Sequence, residues 1–358
     1  MYDMIIVGGG PAGATLARMI GKRYKVLLLE KRSFAVNKDS IYHKCCGGLI
    51  APDAQRMLAK FCLGIPKEVV LSPQLFAVRT IDNDNSIERY YQRNYINIDR
   101  EKFDEWLESV IPPEVHIVNG SIFKSYDITN GIVNVKFSHE GKEFTEKAKL
   151  LVGADGAFSQ IRKQGFPDCP KPKEYIAIQE WFETKQNADY YGAIFDKEIT
   201  DFYSWTIPKE KYLILGSALK PGKEAAKKFK LLKAKLLRYG FEFDHLVRRE
   251  GSYILRPTKC SQICTGNSQV ALVGEAAGLI SPSSAEGLSY AFRSAVALAK
   301  ALDNGQEGFH RRYLTNIKAL ECNIAIKNLK SPVMYNQYLR KAVMKTGVLS
   351  IGIENNDL

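Results

Sequence analysis

Apolar residues along this chain follow two different rhythms. Near the N-terminus, Met4 to Val7 and Val26 to Leu29 are short unbroken apolar runs, as expected of strands buried on both faces. Between them Leu16, Ala17 and Ile20 recur at helical spacing. The same pairing returns later: Val270 to Val273 form a strand-like run. Leu288, Ala291, Phe292, Ala295 and Ala299 then form one apolar stripe. In the middle of the chain, YIAIQEWFET and ADYYGAIFD alternate as strands with one covered face do. NIDREKFDEWL predicts a helix with Asp99 as its N-cap and Phe103, Trp106, Leu107 and Val110 on one face. From His310 onward RRYLTNIKALECNIAIKNL predicts another helix, which Pro332 should end. The pattern is that of an α/β protein.

Composition adds a size and a charge. The 358 residues are 45% hydrophobic, enough for two closely joined domains. No stretch approaches the ~18 uninterrupted apolar residues of a membrane span. No basic-then-apolar leader precedes Tyr2, and the seven irregularly spaced cysteines read as reduced thiols. Both point to the cytoplasm. The net charge of +12 suits nucleic acid, anionic lipid headgroups, an acidic substrate or simply a solvated basic face. Eight Lys or Arg crowd into KPGKEAAKKFKLLKAKLLR (220–238), where Phe229, Leu232 and Leu236 recur at helical spacing. Such a helix either packs on its own domain or attaches peripherally to a membrane. No RNA- or DNA-binding motif accompanies the charge, so nucleic acid is not the expected partner. The five histidines lack metal-ligand spacing. Cys260 and Cys264 are at most half of a zinc site, so no metal is expected.

The most informative stretch is MIIVGGGPAGATLARMIGKRYKVLLLEKR. Gly8, Gly10 and Gly13 form G-x-G-x-x-G between a strand and a helix. Gly8 permits the tight turn, Gly10 lets backbone approach a pyrophosphate, and Gly13 allows close helix–strand packing. The helix N-terminus offers unpaired N–H groups to the anion. Glu30, at the end of the second strand, is placed to hydrogen-bond a ribose hydroxyl and disfavours a 2′-phosphate. These residues indicate a dinucleotide without separating FAD from NAD.

Two distant segments extend the pattern. AKLLVGADGAFSQIRKQ places Gly153-Ala154-Asp155-Gly156 after a strand, and QVALVGEAAGLISPSSAEGLSYAF places Gly274-Glu275-Ala276-Ala277-Gly278 after another. With the N-terminal fingerprint they resemble the FAD-binding folds of the aromatic hydroxylase type over nearly the whole chain. The resemblance implies FAD, with Glu30 on the adenosine ribose and Glu275 near the ribityl or phosphate groups. Glu275 stands where that family usually has Asp. It also implies backbone N–H groups of Gly287 and Leu288 at the isoalloxazine edge and a cofactor contact from Arg100. Ala12 and Asp155 join the implied cofactor set.

Within that superfamily the sequence resembles the geranylgeranyl reductases and their CbrA-like relatives. KCCGGLIAPDAQ is similar to their K-P-C-G-G loop, with Cys46 at the family's cysteine and Cys45 in place of proline. This adds Lys44, Cys46 and Gly47 to the implied cofactor contacts, with Cys46 as the candidate catalytic group. FYSWTIPKEKYLILG is similar to their Y-x-W-x-F-P motif, which implies that Tyr203, Trp205 and Pro208 bound a substrate cavity. Ile207 in place of Phe also brings it close to the W-x-W-x-I-P of flavin-dependent halogenases. Adjacent cysteines point apart on an extended chain, so a shared metal or a disulfide between them is disfavoured. Gly47 and Gly48 allow a loop that passes close against a flat ring.

The implied architecture is a Rossmann-like FAD-binding domain with an inserted antiparallel-sheet substrate domain and a helical C-terminus. The first domain takes residues 1–65, 96–165 and 262–310, the second 66–95 and 166–261, and 311–358 form the C-terminal segment. The expected activity is reduction of a hydrophobic, isoprenoid-like substrate, with monooxygenase or halogenase chemistry as the alternative. A nucleic-acid binder would account for the charge alone. The reductant would be a nicotinamide or a ferredoxin-like protein.

Overall fold

A computed structural model describes residues 1–33, 45–185 and 189–353. Two sheets organise it. In the first, Val26–Glu30 lies between His116–Asn119 and Tyr2–Val7, and Tyr2–Val7 pairs with the second half of Lys142–Gly153. All of these pairings are parallel, as is that of Val270–Leu272 with the last three residues of Lys142–Gly153. The first half of Lys142–Gly153 instead joins an antiparallel meander with Ile132–His139 and Ser121–Thr129. Burial follows this division. Leu150 to Gly153 are wholly buried between helices, whereas Lys142 to Thr145 are exposed.

Parallel register brings the strand ends together. Val7 pairs with both Leu29 and Gly153, and Gly153 pairs with Leu272. Gly8, Glu30, Ala154 and Gly274 therefore begin their loops at one edge, where ligands bind in open α/β sheets. The helix Pro11–Ile20 lies directly over this edge. A Cβ at Gly13 would come within 1.9 Å of the Gly8 carbonyl oxygen, and one at Gly8 within 2.4 Å of the Ala154 oxygen. Gly8 also has φ +105°, which disfavours any side chain.

The second sheet runs His245–Arg256, Lys173–Glu183, Tyr212–Leu219, Ser204–Lys209, Tyr190–Phe195, Leu75–Asp82, Ile87–Asn97 and Ser350–Ile351. Only the Leu75–Asp82 and Tyr190–Phe195 pair is parallel. One face is covered by the helix Ala225–Leu236 through Phe229, Leu232 and Leu236, which pack with Phe182, Leu213 and Leu215. The apolar underside of this basic helix is thus consumed against the second sheet and is not available to a membrane. The other face turns toward the Cys45–Gly48 loop and the C-terminal helices.

The long helix Phe309–Tyr335 crosses from one sheet's core to the other. Phe309, Tyr313, Ile317, Leu320 and Ile324 pack in the first, and Met334 and Tyr335 in the second. Pro332 does not end it, contrary to expectation; the helix runs on to Tyr335. Proline loses only the bond from its own missing N–H, and just three residues follow it before the helix ends. The Ser331 hydroxyl meanwhile donates to the Lys327 carbonyl.

A line of buried charge ties three segments beside the first sheet together. Glu30 accepts from the Gly9 N–H at 2.6 Å and from the Arg32 N–H and Nε at 2.9 Å each. Arg32 donates through Nη1 to Asp104 at 2.6 Å, and Asp104 accepts from Arg100 Nε at 2.9 Å. Arg100 Nη1 ends the line 3.3 Å from the Cys46 sulfur. Burial alone would raise the pKa of both carboxyls. Arg100 and Arg32 around Asp104, and Arg32 beside Glu30, outweigh it and hold both below the usual carboxylate range.

Asp104→Asn would leave two buried guanidiniums sharing a neutral amide. Denaturant unfolding should show a loss of about 3–5 kcal/mol, the usual cost of breaking a buried pair from one side. Carboxylates with lowered pKa contribute stability that is complete above about pH 4 and is lost as the pH falls through their folded values. Wild type should therefore lose stability below about pH 4 more steeply than Asp104→Asn. Parallel acid limbs would remove Asp104 from the network.

Candidate cofactor and substrate site

One cavity of about 1700 Å³ runs between the two sheets. Its first half is built from the converging strand ends. Gly8, Gly10, Ala12, Glu30, Arg100, Asp155, Glu275, Gly287 and Leu288 all line it. A Cβ at Gly10 would meet no atom within 4 Å, so only the open cavity lies in front of that backbone. Gly13 does not line it and serves the helix–strand contact. Two helix N-termini, those of Pro11–Ile20 and Leu288–Ala301, open onto this half. Gly274, with φ +58°, lets these two helices approach: its Cβ would stand 3.1 Å from Ala12 Cβ.

Several polar groups here carry bonds that fix them. Asp155 Oδ2 accepts from the N–H groups of Gln160 at 2.8 Å and Ile161 at 3.3 Å, while buried Oδ1 has no partner. Burial raises the Asp155 pKa despite those donors. Glu275 Oε1 accepts from the Leu255 N–H of the second sheet at 3.0 Å, so this acid joins the two halves. Glu30 already bonds Gly9 and Arg32. The set fits a dinucleotide: an anion cradle at two helix ends, space that a side chain would fill, and a buried acceptor without a partner.

The Cys45–Gly48 segment forms the seam between the halves. Gly47 packs so tightly on Ile207 that a Cβ would lie 2.3 Å from Cδ1. Gly48, at φ +59°, accepts through its carbonyl from Lys209 Nζ at 2.9 Å. The buried Lys209 also donates to Asn97 Oδ1 and the Ile98 carbonyl, at 2.5 and 2.7 Å. Burial pushes the Lys209 ammonium down to about 7, against the opposing electrostatic effects of Cys46 and Asp99. Cys46 Sγ receives the Arg100 guanidinium at 3.3 Å and the Gly48 N–H at 3.5 Å. Cys45 turns the other way and donates to Gln179 Oε1 at 3.4 Å. Lys44 lies outside the described residues.

The second half of the cavity is walled by the second sheet. Tyr203, Trp205 and Ile207 line it, with Ala177, Tyr191, Ala193 and Phe195. Alternation along Ser204–Lys209 turns Pro208 away; its carbonyl accepts from Asn97 Nδ2 at 2.8 Å. Trp205 lies over Gly216, where a Cβ would be 2.2 Å from the indole. Burial raises the Tyr203 phenol well above its ordinary value, and it donates to the Ser284 carbonyl at 2.7 Å. Tyr335 donates to the Ser283 carbonyl at the same distance. Two tyrosines thus hold the loop that leads into Gly287. In this apolar wall Gln179 is buried, and its Nε2 has no hydrogen-bond partner.

Arg32, Asp104, Gln179, Lys209 and Tyr335 escaped the sequence reading. Asp104 stands four residues after Arg100, a spacing that pairs side chains on a helix and was there to be used. Gln179 shares its strand face with Tyr175, Ala177 and Trp181, an amide in an otherwise apolar register. Nothing local marks Tyr335. Among the described residues no group of three or more His, Cys, Asp or Glu could hold a metal ion.

No protein-family model matches the chain. Protein CbrA of Escherichia coli O9:H4 (strain HS) is 39% identical over 350 residues, covering 98% of this chain and 94% of that protein. Protein CbrA of Shigella sonnei (strain Ss046) is also 39% identical, covering 98% of each. Among solved structures, a geranylgeranyl bacteriochlorophyll reductase-like protein of Thermoplasma acidophilum superposes with TM-score 0.72 at 17% identity, over 96% of this chain and 98% of its own. A triple mutant of the flavin-dependent brominase Bmp2 gives 0.73 at 16%, over 97% and 94%. A mutant of the halogenase PltM in complex with FAD gives 0.70 at 15%, over 94% and 78%. At such low identity these three establish the fold alone. The identity to CbrA along almost the whole length establishes the family: the chain belongs to the CbrA family, built on a fold shared with flavin-dependent enzymes.

Proposed function

We propose that the chain is an FAD-dependent oxidoreductase that reduces a hydrophobic, isoprenoid-like substrate. The observation that carries this reading is the shared cavity, a dinucleotide cradle on one side and an aromatic and aliphatic wall on the other. Gly8, Gly10, Ala12 and the helix end behind them would take the pyrophosphate, and Glu30 the adenosine ribose. Asp155 and Glu275 would serve the phosphate and ribityl region, Gly287 and Leu288 the pyrimidine edge. Arg100, Cys46 and Gly47 would meet the cofactor from the seam, and Lys44, outside the described residues, is the further contact that the family likeness implies. When bound, FAD supplies hydride or electron transfer to a substrate beside it.

The chain's own contribution is position, dryness and a proton. Tyr203, Trp205 and Ile207 shape the wall and exclude water. Pro208, turned away, fixes the strand end through Asn97. Cys46 lies at the seam with its sulfur oriented by Arg100 and the Gly48 N–H, placed to deliver a proton to the reduced substrate. Gln179 Nε2 offers a buried donor, which suits a substrate bearing one oxygen acceptor among apolar carbons. A reductant of the nicotinamide or ferredoxin-like kind would supply electrons, the latter drawn by basic surface. A substrate of this kind partitions into lipid, so peripheral contact with a membrane belongs to the reading. Monooxygenase or halogenase chemistry is the second reading, favoured by the Trp205-x-Ile207-Pro208 sequence.

Gly10→Val should fill the space that the cofactor requires. Flavin absorbance per polypeptide should fall at least ~10-fold relative to wild type, a loss of about 1.4 kcal/mol or more in binding. Equal occupancy would place the cofactor elsewhere.

Trp205→Ala and Cys46→Ser should both retain FAD while slowing substrate reduction at least ~10-fold. Cys46→Ser should in addition shift the flavin spectrum, and Cys45→Ser should do neither. If Trp205→Ala strips the flavin or unfolds the chain, Trp205 is core. If Cys46→Ser matches wild type in spectrum and rate, Cys46 has no part in the reaction.

A further inference from the structure

The C-terminal helices present a surface unlike the rest of the molecule. From Cys322 to Ile353, thirty-two consecutive residues contain no Asp or Glu and five Lys or Arg. Of the twenty-one large hydrophobic side chains exposed among the described residues, ten fall between Ile326 and Ile353. Scattered exposed apolar residues are ordinary; this concentration is not. Leu329 is 81% exposed, Tyr338 72% and Leu349 85%. On the helix Gln337–Thr346, Arg340 and Met344 face inward. At 100° per residue, Lys341 and Lys345 border the outward arc held by Tyr338, Leu339 and Val343.

This surface is continuous with the cavity. Val333, Val343 and Leu349 are exposed and also line it. Ser350–Ile351 pairs with Tyr90 and Tyr91 at the sheet edge. Arg93, exposed on the same edge strand, adds another cation to the mouth.

We propose that this C-terminal face docks the protein on an anionic lipid surface, with the cavity mouth held against the lipid. Apolar side chains bordered by lysines with no acid among them complement a layer of anionic headgroups over hydrocarbon. A protein seated here would cap the mouth, whereas a lipid layer keeps it open to apolar molecules. The basic helix Ala225–Leu236 lacks the second ingredient, because its apolar residues are buried in its own sheet. The assignment rests on the reading of the cavity as a site for a hydrophobic substrate, and it adds the surface by which that substrate is reached.

The test is sedimentation of the purified flavin-loaded protein with vesicles of phosphatidylcholine alone or mixed equally with phosphatidylglycerol. Wild type should bind the mixed vesicles, lose that binding in high salt, and bind phosphatidylcholine weakly. The triple substitution Lys330→Glu, Lys341→Glu and Lys345→Glu should weaken it at least ~10-fold, given about 1 kcal/mol per cation near an anionic surface. Leu329→Ser with Leu349→Ser should weaken it too, and Lys228→Glu with Lys230→Glu should weaken it less. Flavin content, read on the same samples, tests the cofactor reading separately. Absence of binding by flavin-loaded wild type, or equal losses from both lysine sets, would overturn the docking face while leaving the flavin assignment standing. So would a dimer in solution that Leu329→Ser with Leu349→Ser dissociates, since the face would then join two copies of the chain.

Discussion

Backbone packed on backbone, at a place where no side chain fits, is the constraint on which the rest of this structure depends. Gly13 of the first helix meets the Gly8 carbonyl, and Gly8 meets Ala154, at distances a Cβ would violate. That contact sets the helix Pro11–Ile20 over the ends of parallel strands and aims its N-terminus at the cavity. Hydrophobic burial along Met4 to Val7 and Val26 to Leu29 stabilises the sheet. The glycines determine where its open edge leads.

Charge extends this geometry beyond the strand ends. The line from Glu30 through Arg32, Asp104 and Arg100 to Cys46 joins a strand end, a helix and the seam loop. A buried ion pair contributes little net stability compared with apolar packing, but removing one member is costly. Its value here is positional. On the proposed reading, the same line that fixes the acid for the adenosine ribose also orients the sulfur at the reacting end. Lys209, Tyr203 and Tyr335 do the equivalent work across the seam, by holding the Gly48, Ser284 and Ser283 carbonyls.

Much of the first sheet and its glycine turns was legible because their signals are local. A strand, spaced glycines, a striped helix and a terminal acid can be read in one short window. The basic helix was legible in its periodicity, and its buried face is the one its sequence indicates. Pro332 misled because a proline disrupts the turn before it, and the three residues after it still complete the helix to Tyr335. Gln179 and Tyr335 were out of reach, since each gains meaning only from a partner more than fifty residues away: Cys45 for one, Ser283 for the other. The docking face lay in a similar position. Its lack of acids is visible in the sequence, but exposure depends on which helix sides the two cores consume.

The fold is common to proteins that reduce and proteins that use oxygen, so the chemistry must be decided at the cavity. An apolar wall with one buried amide donor and a positioned thiol suits reduction of a hydrophobic substrate. The direct measurement is anaerobic reduction of the purified flavoprotein, followed by mixing with a polyprenyl substrate or with oxygen alone while the flavin absorbance is followed. Reoxidation by the polyprenyl substrate without oxygen, with a saturated product, is the result expected. Reoxidation by oxygen only, with the polyprenyl substrate unchanged, would contradict the account and favour the oxygen-dependent reading.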